Sequence, residues 1–420
     1  MNLDLEAYNA FLKEFYEEGV ESQFARQTVL LDEVVMPRLR GPKHIAGKYA
    51  VIAVESMALG GVGSRGEDED MPEPEPGIYE NTRVALAYHY FSARVTGPTL
   101  ELSQGSAGAF DDAETRELLT KTNAFLMNIN RNLHYKSDGC IARVDATPAQ
   151  SGLTFTIDRA GNRGSAGYKD ADTNGAKFIT KNMRIEIWSA LSGGSQIGGT
   201  FRVTAVAKGS GQSTSATITV DTSPGTLSGD EFIFQEGSRG KDMNGLGDIY
   251  GSGTLQNLTT TEVPEWQAVI KTGATAGTPE PISRIRIEDA MTDAEMNSGV
   301  PTDLIVTDRA GFLSFADYCA QKRIQVNTLK LSEGWSGADF NGNVAIVPDL
   351  WAPPLTMRGI PTQTLSIYEG IRPGFIKYGG DVLKPVGRRD TYEANYRWYV
   401  QMGVRRRGAC WELQDIDNVV

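Results

Sequence analysis

The spacing of hydrophobic residues changes several times along the chain, and each change predicts a different kind of element. Near the start, Leu5, Tyr8, Leu12 and Phe15 are three or four residues apart, as on one face of an α-helix. Two closely placed prolines between residues 36 and 42 then exclude a regular element. We therefore expect residues 1–45 to form an arm rather than part of a core.

A long β-hairpin is predicted for residues 46–104. Its two limbs, Tyr49–Val54 and Thr82–Phe91, are rich in residues that favour strands. Between them, residues 60–77 are mainly glycine, acids and proline, so this tip cannot pack a core. An isolated hairpin is at best marginally stable in water, so we expect its apolar faces to be covered by another copy of the chain.

The clearest helix is predicted for residues 109–135. A mostly apolar stripe runs along it, and acidic residues in its first turns complement the helix dipole. The stripe comprises Leu118, Thr122, Leu126, Ile129 and Leu133. At about 1.5 Å per residue, such a helix is roughly 35–40 Å long.

Short alternating runs separated by turn-rich pieces occupy residues 150–236, which predicts an inserted small all-β domain, either a barrel or a sandwich. The five runs are Leu153–Ile157, Met183–Trp188, Thr200–Val206, Ala216–Val220 and Glu231–Phe234.

Helix and strand patterns alternate after residue 283, so the fold class is α+β. The predicted helices are Ile285–Met296 and Gly311–Arg323, and the predicted strands are Asp303–Thr307, Val344–Val347, Tyr392–Val404 and Ala409–Leu413.

Composition narrows the classes of function. The formal net charge of −12 argues against tight sequence-independent binding of DNA, which needs a basic face to displace counterions. The three cysteines are far apart, so no disulfide framework is expected. No apolar run reaches the about 18 residues of a membrane span, and the first residues lack the pattern of a secretory signal. We therefore expect neither membrane insertion nor secretion.

Two motifs suggest ligands, and each has a mismatch. Gly61–Gly66 matches G-x-G-x-x-G, but the acids and prolines after it cannot begin the helix whose amides would hold a pyrophosphate. The segment from Asp170 to Gly175 begins like a calcium loop, but Lys181 stands where a bidentate glutamate is required. We interpret them as a loop tip and a polar turn, and predict no metal and no cofactor.

No arrangement of catalytic residues is evident. His44, His89 and His134 lie on three different predicted elements, and none has a second ligand at metal-binding spacing. Glu288 and Asp289 are adjacent on a helix and point to different faces. We predict no catalytic residues and no enzyme. A β-rich hydrolase would need two acids about 5–9 Å apart, a geometry that a sequence cannot show.

Arginine clusters near the end of the chain are its main basic features. Arg388 and Arg389 are adjacent, and in a strand Arg405 and Arg407 would share one face. Ion pairing with acids across strands or subunits is the favoured interpretation, and contact with DNA is the alternative.

The order of these elements resembles that of the major capsid proteins of tailed bacteriophages over nearly the whole chain. The resemblance rests on the arm, the hairpin, the long helix with its exit N-R-N-L-H-Y-K-S-D-G at residues 130–139, Ile285–Asp317, residues 342–349 and Tyr392–Ile416. It implies the Hong Kong 97 fold, with an N-terminal arm, an E-loop hairpin, a spine helix, a peripheral domain and an axial domain. The small all-β domain is an addition to that pattern.

The resemblance also implies a division into domains. We expect an arm at 1–45, the E-loop hairpin at 46–104, the spine helix and the start of the peripheral domain at 105–149, the inserted β domain at 150–236, the peripheral domain at 237–282, the axial domain at 283–375 and closing strands at 376–420.

Proteins of that family form pentamers and hexamers that tile an icosahedral shell around double-stranded DNA. We therefore expect a structural protein of the virion that assembles in the host cytoplasm, with a portal protein as a partner and no sequence-specific binding of the packaged DNA. An encapsulin-like bacterial compartment shell, which uses the same fold, is the alternative.

Two departures from the family affect its partners. Some relatives crosslink an E-loop lysine to a neighbour, but no lysine occurs from Tyr49 through Thr120, so reinforcement is expected to be noncovalent or to come from a decoration protein. The short arm has no room for a scaffolding domain, so a separate scaffolding protein is expected unless the sequence is already mature. The β domain is expected to project from the shell exterior.

Ten residues are predicted to lie in contacts between subunits. They are Glu67, Asp68, Glu69 and Asp70 in the hairpin tip, Tyr79 and Arg83 after it, and Arg388, Arg389, Arg405 and Arg407.

Overall fold

The structure is a computed structural model. It describes residues 40–44, 49–56, 61–103, 113–145, 150–161, 176–207, 216–251, 253–273, 279–322, 328–330, 336–340 and 344–417. The predicted helix of the arm and the calcium-like loop lie outside the described residues.

Within these ranges the chain forms 22 β-strands. They are β1 (Arg40–His44), β2 (Tyr49–Ser56), β3 (Ile78–Ala85), β4 (Ala87–Thr96), β5 (Cys140–Val144), β6 (Gln150–Ser151), β7 (Thr154–Ala160), β8 (Arg184–Trp188), β9 (Gln196–Ala207), β10 (Ala216–Val220), β11 (Thr226–Leu227), β12 (Phe232–Gln235), β13 (Val269–Lys271), β14 (Leu304–Thr307), β15 (Thr328–Lys330), β16 (Ser336–Phe340), β17 (Val344–Pro348), β18 (Met357–Ile360), β19 (Leu365–Phe375), β20 (Leu383–Pro385), β21 (Thr391–Val404) and β22 (Trp411–Leu413).

The same ranges contain five α-helices and two short 3₁₀ helices. The α-helices are α1 (Gly97–Ser103), α2 (Ala113–His134), α3 (Leu246–Ile249), α4 (Arg284–Ser298) and α5 (Arg309–Gln321), and the 3₁₀ helices are Thr362–Thr364 and Arg407–Ala409. No helix among the described residues is long and apolar enough to cross a lipid bilayer.

The chain divides into two compact units. The first takes its described residues from Tyr90–Met127 and Pro373–Arg397, and the second takes them from Gln27–His89, Asn128–Arg372 and Trp398–Val420.

The first unit has an aromatic core. Phe91, Phe375 and Tyr396 come from strands, and Phe125 comes from helix α2. The rings of Phe91 and Tyr396 stack with centroids 4.8 Å apart, and Phe125 contacts both. Strand β20 pairs with β21 in the antiparallel direction, with Leu383 opposite Ala394.

A closed six-stranded barrel is one part of the second unit, in the order β10-β7-β5-β12-β8-β9. Five of its strands correspond to the predicted runs. The sixth, β5, lies before the predicted boundary at residue 150, so the barrel begins earlier than the sequence indicated. All five residues of β5 are buried, and a strand buried on both faces lacks the alternation that reveals a strand in sequence.

The barrel starts and ends at the same place in the fold. The amide of Gly240, after β12, donates a hydrogen bond to the carbonyl of Asp138, before β5, at 2.8 Å. Gly139 adopts a φ of +80°, and a Cβ atom there would lie 2.5 Å from the carbonyl oxygen of Ser238. Only glycine therefore fits this crossing of the two chain segments.

A seven-stranded sheet is the other large part of the second unit, in the order β13-β22-β18-β14-β17-β16-β15. The core beside this sheet includes Ile287 of α4, Phe315 of α5 and Ile346 of β17. Helix α4 begins where the Ser283 side chain accepts a hydrogen bond from the amide of Arg286, and it ends at Gly299, which has a φ of +67°. These are the usual residue types for the two ends of a helix, which explains why α4 was predictable.

The buried face of helix α2 differs from the predicted apolar stripe at one position. Phe125 is buried, whereas Leu126 is 37% exposed. Thr122 and Ile129 are two turns apart, so either residue 125 or residue 126 can complete the stripe between them. The aromatic core of the first unit decides this in favour of Phe125, a contact that the spacing alone does not encode.

Pairing of the hairpin strands also differs from the prediction. The limb predicted as Thr82–Phe91 belongs to two strands that meet at Leu86. Strand β3 pairs with β2 from Tyr49 opposite Ala85 to Ser56 opposite Ile78. Strand β4 instead pairs with β21. Strand-forming residues continue through the junction, so local propensity could not show where the partner changes.

Candidate interaction surfaces

Strands β2 and β3 form a two-stranded ribbon with one exposed face. Tyr49, Val51 and Tyr79 on this face are 40%, 55% and 69% exposed. The guanidinium of Arg83 lies 5.4 Å from the centre of the Tyr49 ring. The face therefore offers aromatic and aliphatic surface together with one cation, Arg83, and one acid, Glu55, a mixture found on surfaces that bind another protein.

The opposite face of the ribbon lies against its own subunit. Ser56, Thr82 and Val84 are buried, and Val84 packs against Tyr368. We expected both faces to need another copy of the chain, and for this face that expectation is wrong. Residues of the same chain cover it, because the eight-residue pairing places every second side chain of the ribbon on the body of the second unit.

The hairpin tip carries the predicted acidic residues in an exposed loop. Glu67, Asp68, Glu69 and Asp70 are all exposed. A side-chain oxygen of Glu69 accepts a hydrogen bond from the amide of Gly66 at 2.9 Å, and thus shapes the loop. Residues 61–77 contain no helix, so the G-x-G-x-x-G segment has no helix N-terminus at which a pyrophosphate could bind.

The four arginines fall into two groups. Arg388 and Arg389 are exposed in the loop between β20 and β21, in the first unit. Arg405 and Arg407 follow the last residue of β21, and Arg407 begins a 3₁₀ helix. The predicted strand geometry for these two residues is therefore wrong, and they share no strand face.

Arg407 also cannot take part in a contact between subunits. Its side chain is fully buried, and the guanidinium donates hydrogen bonds to five backbone carbonyls of its own chain. The accepting residues are Asp248, Ile249, Gly251, Gly253 and Trp266. Burial lowers the pKa of Arg407, but a guanidinium keeps its charge in proteins.

Polar residues at the end of α2 form a buried cluster that the sequence analysis missed. The Arg131 guanidinium pairs with the buried carboxylate of Asp242. Nε2 of His134 lies 3.2 Å from an oxygen of Asp349, and Arg358 donates a hydrogen bond to the His134 carbonyl at 2.6 Å. The sequence feature that could have revealed this cluster is the string N-R-N-L-H at residues 130–134, where polar residues occupy the last turn of the helix.

The remaining candidate residues have structural partners. Glu288 pairs with Arg284, and Asp289 pairs with Lys271, so the two acids face different neighbours as predicted. His89 is buried. In the part of the chain that the structure describes, no group of three or more histidine, cysteine, aspartate or glutamate residues could hold a metal ion.

Comparison with known proteins shows the fold. No protein-family model matches the chain, and no curated protein matches it. A chain of the cyanophage A-1(L) capsid asymmetric unit aligns with a TM-score of 0.56 and 12% identity, over 99% of this chain and 98% of that chain. This chain therefore has the α+β fold of a phage major capsid protein, as the order of its elements predicted.

Two further solved structures match at lower scores. The capsid of an empty GTA particle gives a TM-score of 0.49 at 8% identity, over 99% of this chain and 98% of that chain. The encapsulin complex from Synechococcus elongatus PCC 7942 gives 0.47 at 9% identity, over 100% of this chain and 98% of that chain.

Proposed function

We propose that this chain is the shell-forming subunit of a tailed-phage capsid. The supporting observation is the match of the whole chain to the whole cyanophage capsid chain, which leaves no large part of either unaccounted for.

The exposed face of the ribbon fits this proposal. A two-stranded ribbon with Tyr49, Val51 and Tyr79 on its surface gains stability when a second copy covers those side chains. We propose that copies join through such contacts into pentamers and hexamers, and that these close into an icosahedral shell around double-stranded DNA. Repetition of one contact around symmetry axes is how identical subunits form closed assemblies.

Other partners follow from the same proposal. A scaffolding protein and a portal protein would guide assembly in the host cytoplasm, and the packaged DNA would be held without sequence-specific contacts. We propose that the barrel projects from the outer surface of the virion, where it stiffens the capsomer or binds a decoration protein. Glu67, Asp68, Glu69, Asp70, Tyr79, Arg83, Arg388, Arg389 and Arg405 remain proposed contact residues.

The size of the purified assembly tests the proposal. Sedimentation velocity and electron microscopy should show capsomers or closed particles of megadalton size. A small closed oligomer at every concentration would contradict a shell. Nucleic acid within particles from an infected host would support a capsid, whereas protein cargo would favour the encapsulin-like alternative.

A pair of variants makes this test specific. Val51→Glu places a carboxylate opposite Arg83 on the exposed face of the ribbon and should abolish large particles, because the contact would then have to bury an ionised group in place of an aliphatic side chain. Leu153→Glu is the matched control, because Leu153 is 48% exposed on the barrel, away from the proposed contact. Equal loss of particles in both variants would contradict a specific role for the ribbon.

A further inference from the structure

We infer that the ribbon is fixed before assembly by a latch within its own subunit, which sets the position of its exposed face. The latch consists of two hydrogen bonds from the ribbon to the segment Asp248–Trp266, called the platform below. This inference rests on the proposed role of the ribbon in assembly, but the latch can be measured in the isolated subunit.

The two bonds hold the ribbon at two separate points. The hydroxyl of Ser56 donates to Oε2 of Glu265 at 2.7 Å, and the amide of Arg83 donates to the carbonyl of Gln256 at 2.8 Å. Arg83 lies opposite Val51, five residues from Ser56. At about 3.3 Å per residue the two points are roughly 16 Å apart along the ribbon. Two attachment points prevent the ribbon from swinging, which a single point would allow.

Burial strengthens the latch. Ser56 is 4% exposed, and Thr82 and Val84 beside it are completely buried. Water competes poorly for hydrogen bonds in such a place, and a bond to an ionised carboxylate is stronger than one between neutral groups.

The platform contains a backbone turn that is costly to form. Gln256 and Asn257 have φ angles of +54° and +63°, and the flanking residues Leu255 and Leu258 exchange two backbone hydrogen bonds. Two central residues with positive φ form the tight turn that normally takes glycine or asparagine, and glutamine disfavours it. Such a turn persists only where the surrounding structure holds it.

Arg407 and Val404 hold this turn through hydrogen bonds. Arg407 binds carbonyls on both sides of the turn, from Asp248 to Gly253 and at Trp266. The side-chain amide of Gln256, with its nitrogen towards the Val404 carbonyl, pairs with the Val404 peptide at 2.9 and 2.7 Å. Arg407 is thus a positioning residue: it shapes the platform, and the platform aims the ribbon.

Hydrogen–deuterium exchange of the isolated subunit tests the latch. In Glu265→Ala, amides of β2 and β3 should exchange about tenfold faster, the loss expected for one partly buried, charge-assisted hydrogen bond. Glu265→Gln is the matched control, because its amide oxygen still accepts the Ser56 hydroxyl, though without the charge, so exchange should rise clearly less than in Glu265→Ala. Ser56→Ala should reproduce Glu265→Ala, and the barrel amides should be unchanged in all three.

Assembly of the same variants gives the second readout. If the latch prepares the ribbon for its partner, Glu265→Ala and Ser56→Ala should form fewer particles or irregular ones, and Glu265→Gln should assemble normally. Unchanged exchange in Glu265→Ala would overturn the latch. Faster assembly of Glu265→Ala would also overturn the inference. It would mean that the Ser56–Glu265 hydrogen bond holds the ribbon in a position that hinders assembly. If the wild-type chain never assembles, the proposed function fails, while exchange still decides whether the latch exists.

Discussion

Arg407 illustrates how one buried charge can organise a segment that has little regular structure. Asp248 and Ile249 end helix α3, Gly251 and Gly253 lie in irregular structure after it, and the carbonyls of all four accept hydrogen bonds from Arg407. Five donors in a fixed planar fork satisfy these carbonyls at once, which no other side chain can do. In the sequence, Arg407 is the last of three consecutive arginines, a pattern typical of an exposed basic patch. Nothing local distinguishes it from its neighbours, so its burial could not be predicted.

Replacement of Arg407 should be strongly destabilising. Arg407→Met removes a guanidinium that donates to five backbone carbonyls, among them the buried carbonyls of Ile249 and Trp266, at a cost of about 3 kcal/mol or more. Urea unfolding of the unassembled subunit measures this loss. Arg406→Met is the control, because Arg406 is exposed and donates one hydrogen bond, to the Ser298 carbonyl. Similar losses in the two variants would contradict the assigned role.

His89 should make the subunit sensitive to mild acid. Burial lowers the pKa of His89 below its ordinary value of 6.5, Asp242 acts in the opposite direction, and Arg131 lowers it further. The unfolded chain therefore binds a proton more readily than the folded chain, and stability falls as the pH drops below about 6.5. His89→Phe should lose less thermal stability between pH 7.5 and 5 than the wild type. Parallel melting-temperature curves for the two proteins would show that His89 does not titrate in this range.

At the scale of elements, spacing located most helices and strands but not their partners. The five predicted barrel strands and the helices near Ile285 and Gly311 are present. Strand β5 was missed because both of its faces are buried, and the junction at Leu86 was missed because strand propensity is continuous across it. The periodicity of hydrophobic residues shows which face of a helix or strand is buried. The pairing of strands depends on residues far away in the chain.

Helix α2 offers a direct test of the corrected stripe. Phe125→Ala should lower the free energy of unfolding by about 3–4 kcal/mol, because the ring packs against Phe91 and Tyr396. Leu126→Ala should cost less than about 1 kcal/mol, because this side chain is partly in solvent. Chemical denaturation of both variants decides between the two assignments, and the reverse order of losses would restore the predicted stripe.

At the scale of the whole molecule, charge is distributed unevenly. Residues 61–77 of the tip contain six acidic residues and one arginine, within a chain of net charge −12. The whole-chain fold could be predicted because the order of its elements resembles a known architecture. The contact residues could not be confirmed in the same way, because a single subunit does not show its neighbours.

Neutralising the tip should change association and leave folding intact. A variant with Glu67→Gln, Asp68→Asn, Glu69→Gln and Asp70→Asn should unfold at the wild-type denaturant concentration, because all four side chains are exposed. If the tip pairs with cations of another subunit, particle yield in the wild type should fall with added salt, and the variant should show a weaker salt dependence. Identical salt dependence in both proteins would remove these acids from the contact.

The crossing of chain segments at Gly139 has a practical consequence for engineering. Because Asp138 and Gly240 are joined by a hydrogen bond, the two ends of the segment that contains the barrel meet. A foreign domain with adjacent termini could be spliced in at this seam and displayed in many copies. The replacement would need to begin with Gly139, whose φ of +80° permits the crossing, and to cover Tyr135 and Trp351, which pack against Phe178 of the replaced segment.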